Sequence, residues 1–445
     1  MALPEVCLRS GNTLMTVRDE LDRTILLCRD HVRDDLSDAE ICRQFQSLRV
    51  LCVSNRDNLS SHSGQTALVT LVSLLNRMGI QTELNIPDIP IISPQPPLSG
   101  SLSLLNTLVV SCERLITGAT VSRQTDSHPD LIFALGDSET KKPADPCWRL
   151  HGDAWSGTLS MEEMLPAHAW NADWPIGAMV SAAQAANEVF KFAMRRLPLR
   201  NEGDQVFFTL SRSCSWTFGP FPLPGQDVDL GMVDIISAGA ISQAAMYALT
   251  RLPNVRMHGR IFDDDLTGAS NLNRNMLTLR SDVGRAKALV VAERCNPNLG
   301  LEPIVARYTS QKLAARVLVG VDDIPSRWEV QRHAPGWLAV SGTSHFNISS
   351  SSHAAGEACS GCLHPLDDPA ANPIPTISFI SFWAGLAMAV RLLREVAGIG
   401  CPQNRQHLWL TPLRMDLPYA AMWSAVPAVR CCPVKCSASQ NSLAA

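Results

Sequence analysis

VDIISAGAIS, Val233–Ser242, reads as a strand, a turn of small residues and the start of a helix. Val233–Ile236 is a short β-branched run. The helical pattern after Ser237-Ala238-Gly239-Ala240-Ile241-Ser242 extends to about Leu252, and His258–Phe262 is a second strand. Strand, crossover helix, strand is the unit of a parallel α/β layer. Further out, Ala286–Cys295 is helical, Val317–Val321 is a strand ending in Asp322-Asp323, and a helix at Ile377–Ala397 closes this half. The segment before it, Asn201–Gln226, holds a strand at Val206–Leu210 and a Pro/Gly-rich link at Phe218–Gly225.

The first half follows the same plan. Arg49–Ser54 is a strand, Asn55–Gly64 a polar turn, Thr66–Met78 a helix and Gln81–Leu84 a second strand. Residues 86–103 carry many Pro and Ser and read as loop. Leu131–Leu135 is a buried-type strand ending at Gly136-Asp137, and a helix from about Ile176 to Arg196, rich in small residues, closes the half. The expectation is two α/β modules, 1–200 and 226–445, joined by a link at 201–225. The repeat lies in the order of elements rather than in the letters.

The chain has 445 residues, too many for one ordinary core, with 46% hydrophobic and 18% charged residues. A net charge of −4 makes no global electrostatic case for nucleic acid or an anionic membrane. The start, MALPEVCLRSGNTLM, lacks the basic and apolar blocks of a signal peptide. Thr376–Val390, the longest apolar stretch, is too short to span a bilayer and reads as a buried helix. Fourteen cysteines scattered over so long a chain suit reduced thiols and a cytoplasmic location.

Ligands of a doubly wound sheet bind at the carboxyl ends of its strands. Three clusters fall there: the turn Ser237–Ser242, Asp263, and Asp322-Asp323. An acid about 20 residues beyond the first turn can bind ribose hydroxyls. Arg274 and Lys287 suit a polyphosphate, and Asp322 could hold Mg²⁺ bridging phosphate oxygens. Together they describe a nucleoside triphosphate site. Singly each has a plainer reading: a strand-end Asp as a helix cap, an Arg or Lys as a solvated surface residue.

The run Asp263–Asn275 (DDDLTGASNLNRN) resembles the "D-x-D … S-N-L-N-R-Q" signature of the ubiquitin-activating, ThiF/MoeB-like adenylating family. Asp282-Val283-Gly284-Arg285-Ala286-Lys287 is similar to its "D-I-G-R-P-K", Asn296-Pro297-Asn298 to its "N-P-N", and Val321–Trp328 to its "x-D-N-x-x-x-R-W/Y". Ser341-Gly342 fits its strand before the crossover. The resemblance covers about residues 226–436. It implies two Rossmann-like ThiF-type modules, an inactive N-terminal and an active C-terminal one, forming an intrachain pseudo-dimer. It implies ATP, with Gly239 letting the backbone approach the nucleotide and Asp263 on the ribose. Ser270, Asn271, Asn273 and Arg274 would hold phosphates and the reacting carboxylate, Lys287 would neutralise phosphate charge, and Asp322 would hold Mg²⁺. Arg274, Lys287 and Asp322 are the catalytic candidates. The implied reaction is attack by the C-terminal carboxylate of a small ubiquitin-like or sulfur-carrier protein on the α-phosphate of ATP. Three departures stand out: one glycine, Gly239, in the turn, Asn275 for Gln, and Asp323 for Asn.

Cys359-Ser360-Gly361-Cys362, with Cys436 and either Cys432 or Cys431, suits a tetrahedral Zn²⁺. The family often carries such a site; the working set is Cys359, Cys362, Cys432 and Cys436. Cys147 and Cys401 read as isolated inert thiols. Where many members have a thioester cysteine in Pro-x-Cys-Thr, this chain has Pro373-Ile374-Pro375-Thr376. The first half lacks an Asn-Leu-Asn-Arg run and resembles the inactive half of two-module activators. Such halves can lend an arginine; Asp22-Arg23-Thr24 resembles that motif but otherwise reads as a surface helix. Trp148, Trp155, Trp170 and Trp174 read as core or interface. The two-module plan resembles the activating enzyme of bacterial ubiquitin-like conjugation systems, antiphage and Bil-type. The implied partners are a small ubiquitin-like protein and a conjugating-type enzyme; a homodimer stays open, and neither nucleic acid nor membrane is expected. The alternatives are a sulfur-carrier or peptide adenylyltransferase of thiamine, molybdopterin or microcin type, and a non-catalytic scaffold.

Overall fold

The computed structural model describes residues 9–10, 13–14, 16–98, 103–125, 128–140, 146–161, 170, 173–219, 227–295, 297–333, 336–366, 375–398, 406–415, 420–423 and 425–441. In the first half, β1 (Arg49–Val53), β2 (Gln81–Asn85), β3 (Val121–Arg123), β4 (Leu131–Leu135) and β5 (Cys147–Asp153) are parallel, in the order β3-β2-β1-β4-β5. β6 (Ser156–Ser160) and β7 (Ser213–Thr217) extend the sheet antiparallel. In the second half β8 (Val228–Ile236), β9 (Val255–Phe262), β10 (Leu299–Ile304), β11 (Arg316–Val319) and β12 (Trp337–Ser344) repeat this permutation, in the order β10-β9-β8-β11-β12. The antiparallel β13 (Asn347–Ala354), β14 (His407–Leu410) and β15 (Ala420–Trp423) complete it. The chain therefore holds two large, mainly parallel sheets of Rossmann-like order.

The apolar strand runs sit where a parallel sheet needs them. Every residue of β4 is buried, because helices cover both faces. β8 is longer than Val233–Ile236 because Val228 and Asp229 also pair with Val255 and Arg256 of β9; a bulge interrupts the ladder, with the register shifting between Asp229 and Met232 and Gly231 at φ +67.

One strand expectation is wrong. Val206–Leu210 is not a strand; Glu202–Phe207 is a helix, with the Asn201 side chain accepting from the Asp204 amide at 2.9 Å. An N-cap Asn with acids in the first turn outweighs the β propensity of Val-Phe-Phe. The last strand of the first sheet forms instead at Ser213–Thr217, inside the segment read as a link.

The helices that position the site are α1 (Asp22–Arg29), α2 (His62–Arg77), α3 (Ile176–Arg195), α4 (Ala240–Leu249), α5 (Lys287–Arg294), α6 (Ile324–His333) and α7 (Ser378–Val396). Small residues on α7 allow close packing on α4: a Cβ on Gly385 would lie 2.4 Å from the Ile241 carbonyl oxygen. One apolar core runs through both halves. Phe190 of α3 meets Phe379 of α7 at 5.5 Å, and Thr70 of α2 shares a hydrogen bond with the Tyr247 hydroxyl of α4 at 3.1 Å. Trp148, Trp155, Trp170 and Trp174 are all buried. Among the described residues no helix is long and apolar enough to cross a membrane.

Candidate functional site

β8 and β11 are neighbours whose following chains leave in different directions, and a cleft opens at their carboxyl ends. The turn after β8 is built around Ser237, which holds φ +81, a left-handed conformation that glycine adopts more easily. Its hydroxyl offsets the strain. Ser237 Oγ accepts from the Gly239 amide at 3.0 Å and donates to Asp263 Oδ2 at 3.3 Å. The Ala238 amide donates to the same oxygen at 2.7 Å, and the Asp265 amide to Asp263 Oδ1 at 2.9 Å. Asp263 thus ties the end of β9 to the turn after β8. Burial raises its pKa, against the pull of the Lys287 charge and these two amides. Gly239 caps α4 in extended geometry.

The run Ser270–Thr278 looks like solvated loop in sequence, yet it is pinned from below. The Arg77 guanidinium, fully buried at the end of α2, donates to the Leu272 carbonyl at 2.6 Å, to Met276 at 3.1 Å and to Thr278 at 2.8 Å. Asn273 Nδ2 donates to Thr24 Oγ1 of α1 at 3.0 Å, and its Oδ1 accepts from Arg274 Nη1 at 2.9 Å. Arg274 also donates to the Ser270 carbonyl. Asn271 Oδ1 accepts from the Gly268 amide at 2.8 Å. Arg280 pairs with the buried Glu20 at 3.1 Å. Ser270, Asn271 and Asn273 therefore shape the run that presents Arg274, and Asn273 is spent on that task.

Arg274 is largely enclosed. Burial and, to a smaller extent, the Arg23 charge bring its pKa down to about 10, against the pull of Asp22 and Asp322. The charges of Arg23 and Asp22 in the first half and of Asp322 in the second thus all act on Arg274, and Arg23 Nε lies 3.8 Å from Asp22 Oδ2; neither arginine is among the residues that line the cleft at the strand ends. This corrects the surface-helix reading of residues 22–24: Thr24 is buried against Asn273, and the Arg23 side chain is 20% exposed. No periodicity in the sequence shows that α1 packs on a loop some 250 residues away.

A cleft of about 640 Å³ lies above the turn. Ile236, Phe262, Tyr308, Val321 and Val330 contribute apolar wall, while Ser237, Asp263, Asp264, Asp322 and Arg307 bring polar groups. Asp264 and Asp322 are exposed and form no hydrogen bond among the described residues. Asp323 caps α6, accepting from the Ser326 amide at 2.7 Å. Lys287 opens α5 and pairs with Asp265 at 2.6 Å. Sequence reasoning missed Arg307 and Tyr308, which line the cleft from a segment carrying no motif, and Glu329, one residue past the Val321–Trp328 motif.

The matching place in the first half is filled by its own side chains. Asn58 Nδ2 and Asn55 Nδ2 donate to Asp137 Oδ1 at 2.8 and 2.9 Å, and Asn58 also reaches Ser138 Oγ at 3.1 Å. These bonds hold the Asp137 carboxyl below its usual range.

Cys359, Cys362, Cys432 and Cys436 converge, their sulfurs within 4.8 Å of one another. Cys359 Sγ is 3.4 Å from Cys432 Sγ, and Cys362 Sγ 3.6 Å from Cys436 Sγ. Four sulfurs about 2.3 Å from one zinc would lie at similar spacings. Burial pushes the Cys362 thiol up to about 11; at Cys436 burial acts in the same direction, but hydrogen bonds at Ser439 outweigh it and bring the thiol to about 6. Cys431 is exposed and outside the cluster, and Cys147 is half-buried in β5. Pro373, Ile374, Asn296 and Cys401 lie outside the described residues; Thr376 is buried.

Residues 49–202 match the family model of the BilD N-terminal domain, which fits a bacterial ubiquitin-like conjugation context. The uncharacterized protein y4jF of Sinorhizobium fredii (strain NBRC 101917 / NGR234) is 27% identical over 226 residues, 48% of this chain and 42% of that protein. The chain thus spans less than half the length of that curated relative. The crystal structure of SeMet PaaA is similar over 44% of this chain and 64% of its own, with 12% identity and a TM-score of 0.35.

Proposed function

We propose that the chain adenylates the C-terminal carboxylate of a small ubiquitin-like protein, activating it for a conjugating-type enzyme in a Bil-type antiphage pathway. One observation carries the reading: an open cleft at the carboxyl ends of β8 and β11 is lined by Ser237, Asp263 and Asp322, and Asp322 forms no hydrogen bond among the described residues. A triphosphate entering this cleft would be repelled by its unpaired acids, Asp264 and Asp322, unless a divalent cation bridged the two.

The nucleotide would enter over the turn Ser237–Gly239, with its ribose by Asp263 and its phosphates toward Arg274, Lys287 and Arg23. Asp322 would hold Mg²⁺, which, when bound, neutralises phosphate charge. The carrier's carboxylate oxygen attacks the α-phosphorus; the Pα–O bond to the β-phosphate breaks, and pyrophosphate leaves. No protein nucleophile is required, so the side chains act by positioning and by neutralising charge. The two halves would serve as a ThiF-type pseudo-dimer, the first contributing Arg23 and the Arg77 clamp while its own cleft stays filled by Asn55, Asn58 and Asp137. The four cysteines would hold a structural Zn²⁺.

The test is ATP–pyrophosphate exchange by the full chain with its candidate carrier. Carrier-dependent exchange that disappears in Asp322→Ala and falls at least tenfold in Arg23→Ala is expected. A second reading, a scaffold without turnover, draws on Ser237 at a left-handed position and on an Asp263 whose two oxygens are already engaged. A scaffold would keep carrier binding and pathway function in Arg274→Ala; an adenylating enzyme would lose the pathway function.

A further inference from the structure

Building on the nucleotide reading above, we infer that Arg307 is a positioning residue that retains bound nucleotide, acting as a strap across the mouth of the cleft. The topology requires the chain to cross there. β10 and β11 are separated by β9 and β8, so the segment from Ile304 to Arg316 must pass over two strands, roughly 14 Å. No helix fills this crossover. It is pinned instead by two apolar side chains, Tyr308 and Leu313, both buried in a small cluster with Phe262 and Val330. The Tyr308 ring meets Phe262 at 5.8 Å, and its hydroxyl donates to the Gln311 carbonyl at 3.1 Å.

With Tyr308 turned into the floor, Arg307 reaches across to the start of α6. Its Nη2 donates to Ser326 Oγ at 2.9 Å and lies 3.6 Å from Asp323 Oδ2. All three residues line the cleft, so the bridge joins its two sides. The Arg307 side chain is 66% exposed and that of Asp323 44%. A pair this exposed contributes little to folding and opens readily, as a gate must and a structural staple need not. Capping α6 does not require the charge of Asp323, since Asn caps a helix equally well. The charge therefore has its use in holding Arg307. Because Asp323 adjoins Asp322, the strap ties the crossover loop to the residue that would hold Mg²⁺.

The experiment is stopped-flow release of a fluorescent ATP analogue, with Mg²⁺, from the full chain. Arg307→Ala and Asp323→Asn should each speed release about 2–5-fold, the factor that an exposed pair of this kind supports. The double variant should release no faster than either single one, Arg307→Lys should recover most of the retention, and the differences should shrink in high salt. Thermal midpoints should stay at the wild-type value. Wild-type release rates in Arg307→Ala, or single effects that multiply in the double variant, would overturn the strap while leaving nucleotide binding intact. A wild-type chain that does not bind the analogue would remove the nucleotide reading and the strap together.

Discussion

Arg77→Met removes a fully buried guanidinium while keeping most of its volume. The side chain donates three hydrogen bonds to the carbonyls of Leu272, Met276 and Thr278, and it reaches the run from the other half of the protein. Hydrogen bonds to a charged group contribute roughly 1.5–3 kcal/mol each, so three set an upper figure of about 5–9 kcal/mol. Burying that charge costs several kcal/mol, which the methionine recovers; burial lowers the Arg77 pKa to about 10, the same penalty seen from the protonation side. The carbonyls left behind in a dry site remain unsatisfied. A net loss of about 3–4 kcal/mol is expected, read by urea denaturation. Hydrogen exchange should localise it: amides of Asn271, Leu272, Asn275 and Thr278 should lose protection, while those in the middle of β8 keep theirs. A change below about 1 kcal/mol, or unchanged exchange in that loop, would refute the clamp. If the clamp holds, Arg77→Met should also weaken nucleotide binding, although Arg77 lies under the loop and not in the cleft.

Three further outcomes follow from local geometry. Ser237→Ala keeps the left-handed backbone and loses both hydroxyl bonds, so it should cost about 1–2 kcal/mol; Ser237→Gly loses the bonds and the strain together and should stay within about 1 kcal/mol of wild type in the same denaturation assay. The purified chain should carry about one zinc, by metal analysis, which Cys359→Ser abolishes and Cys431→Ser leaves in place. His353 and His407 are buried neutral: burial, with Arg391 adding at both, lowers each from 6.5 to about 4. The unfolded chain takes up those protons first, so their contribution is intact above pH 6.5 and is lost as pH falls toward 4, by up to roughly 1.4 kcal/mol per pH unit for each histidine. Denaturation midpoints across that range should drop less steeply in His407→Gln.

Much of the architecture was legible because parallel strands buried on both faces must be short apolar runs. Arg49–Val53, Leu131–Leu135 and the end of Val228–Ile236 announced themselves this way, as did the two long closing helices. The strand Ser213–Thr217 did not, since its letters, Ser-Cys-Ser-Trp-Thr, belong to an edge whose burial depends on its neighbour. The C-x-x-C spacing pointed to a cysteine cluster, but which of Cys431 and Cys432 joins it depends on how one turn of chain faces the other pair.

Features that depend on neighbours along the chain are written in the letters: the strand–turn–helix at Val233–Leu249, the acid after the second strand, the capping Asp323, and the repeat of one element order in two halves. Features that depend on distant segments meeting in space emerge with the fold. Thr24 packs against Asn273, Arg77 holds the loop that carries Arg274, and Arg307 bridges to α6. Periodicity encodes which face of an element is buried; it carries no information on which other element buries it. A lone arginine reads the same in sequence whether it ends in water, in a core or across a cleft.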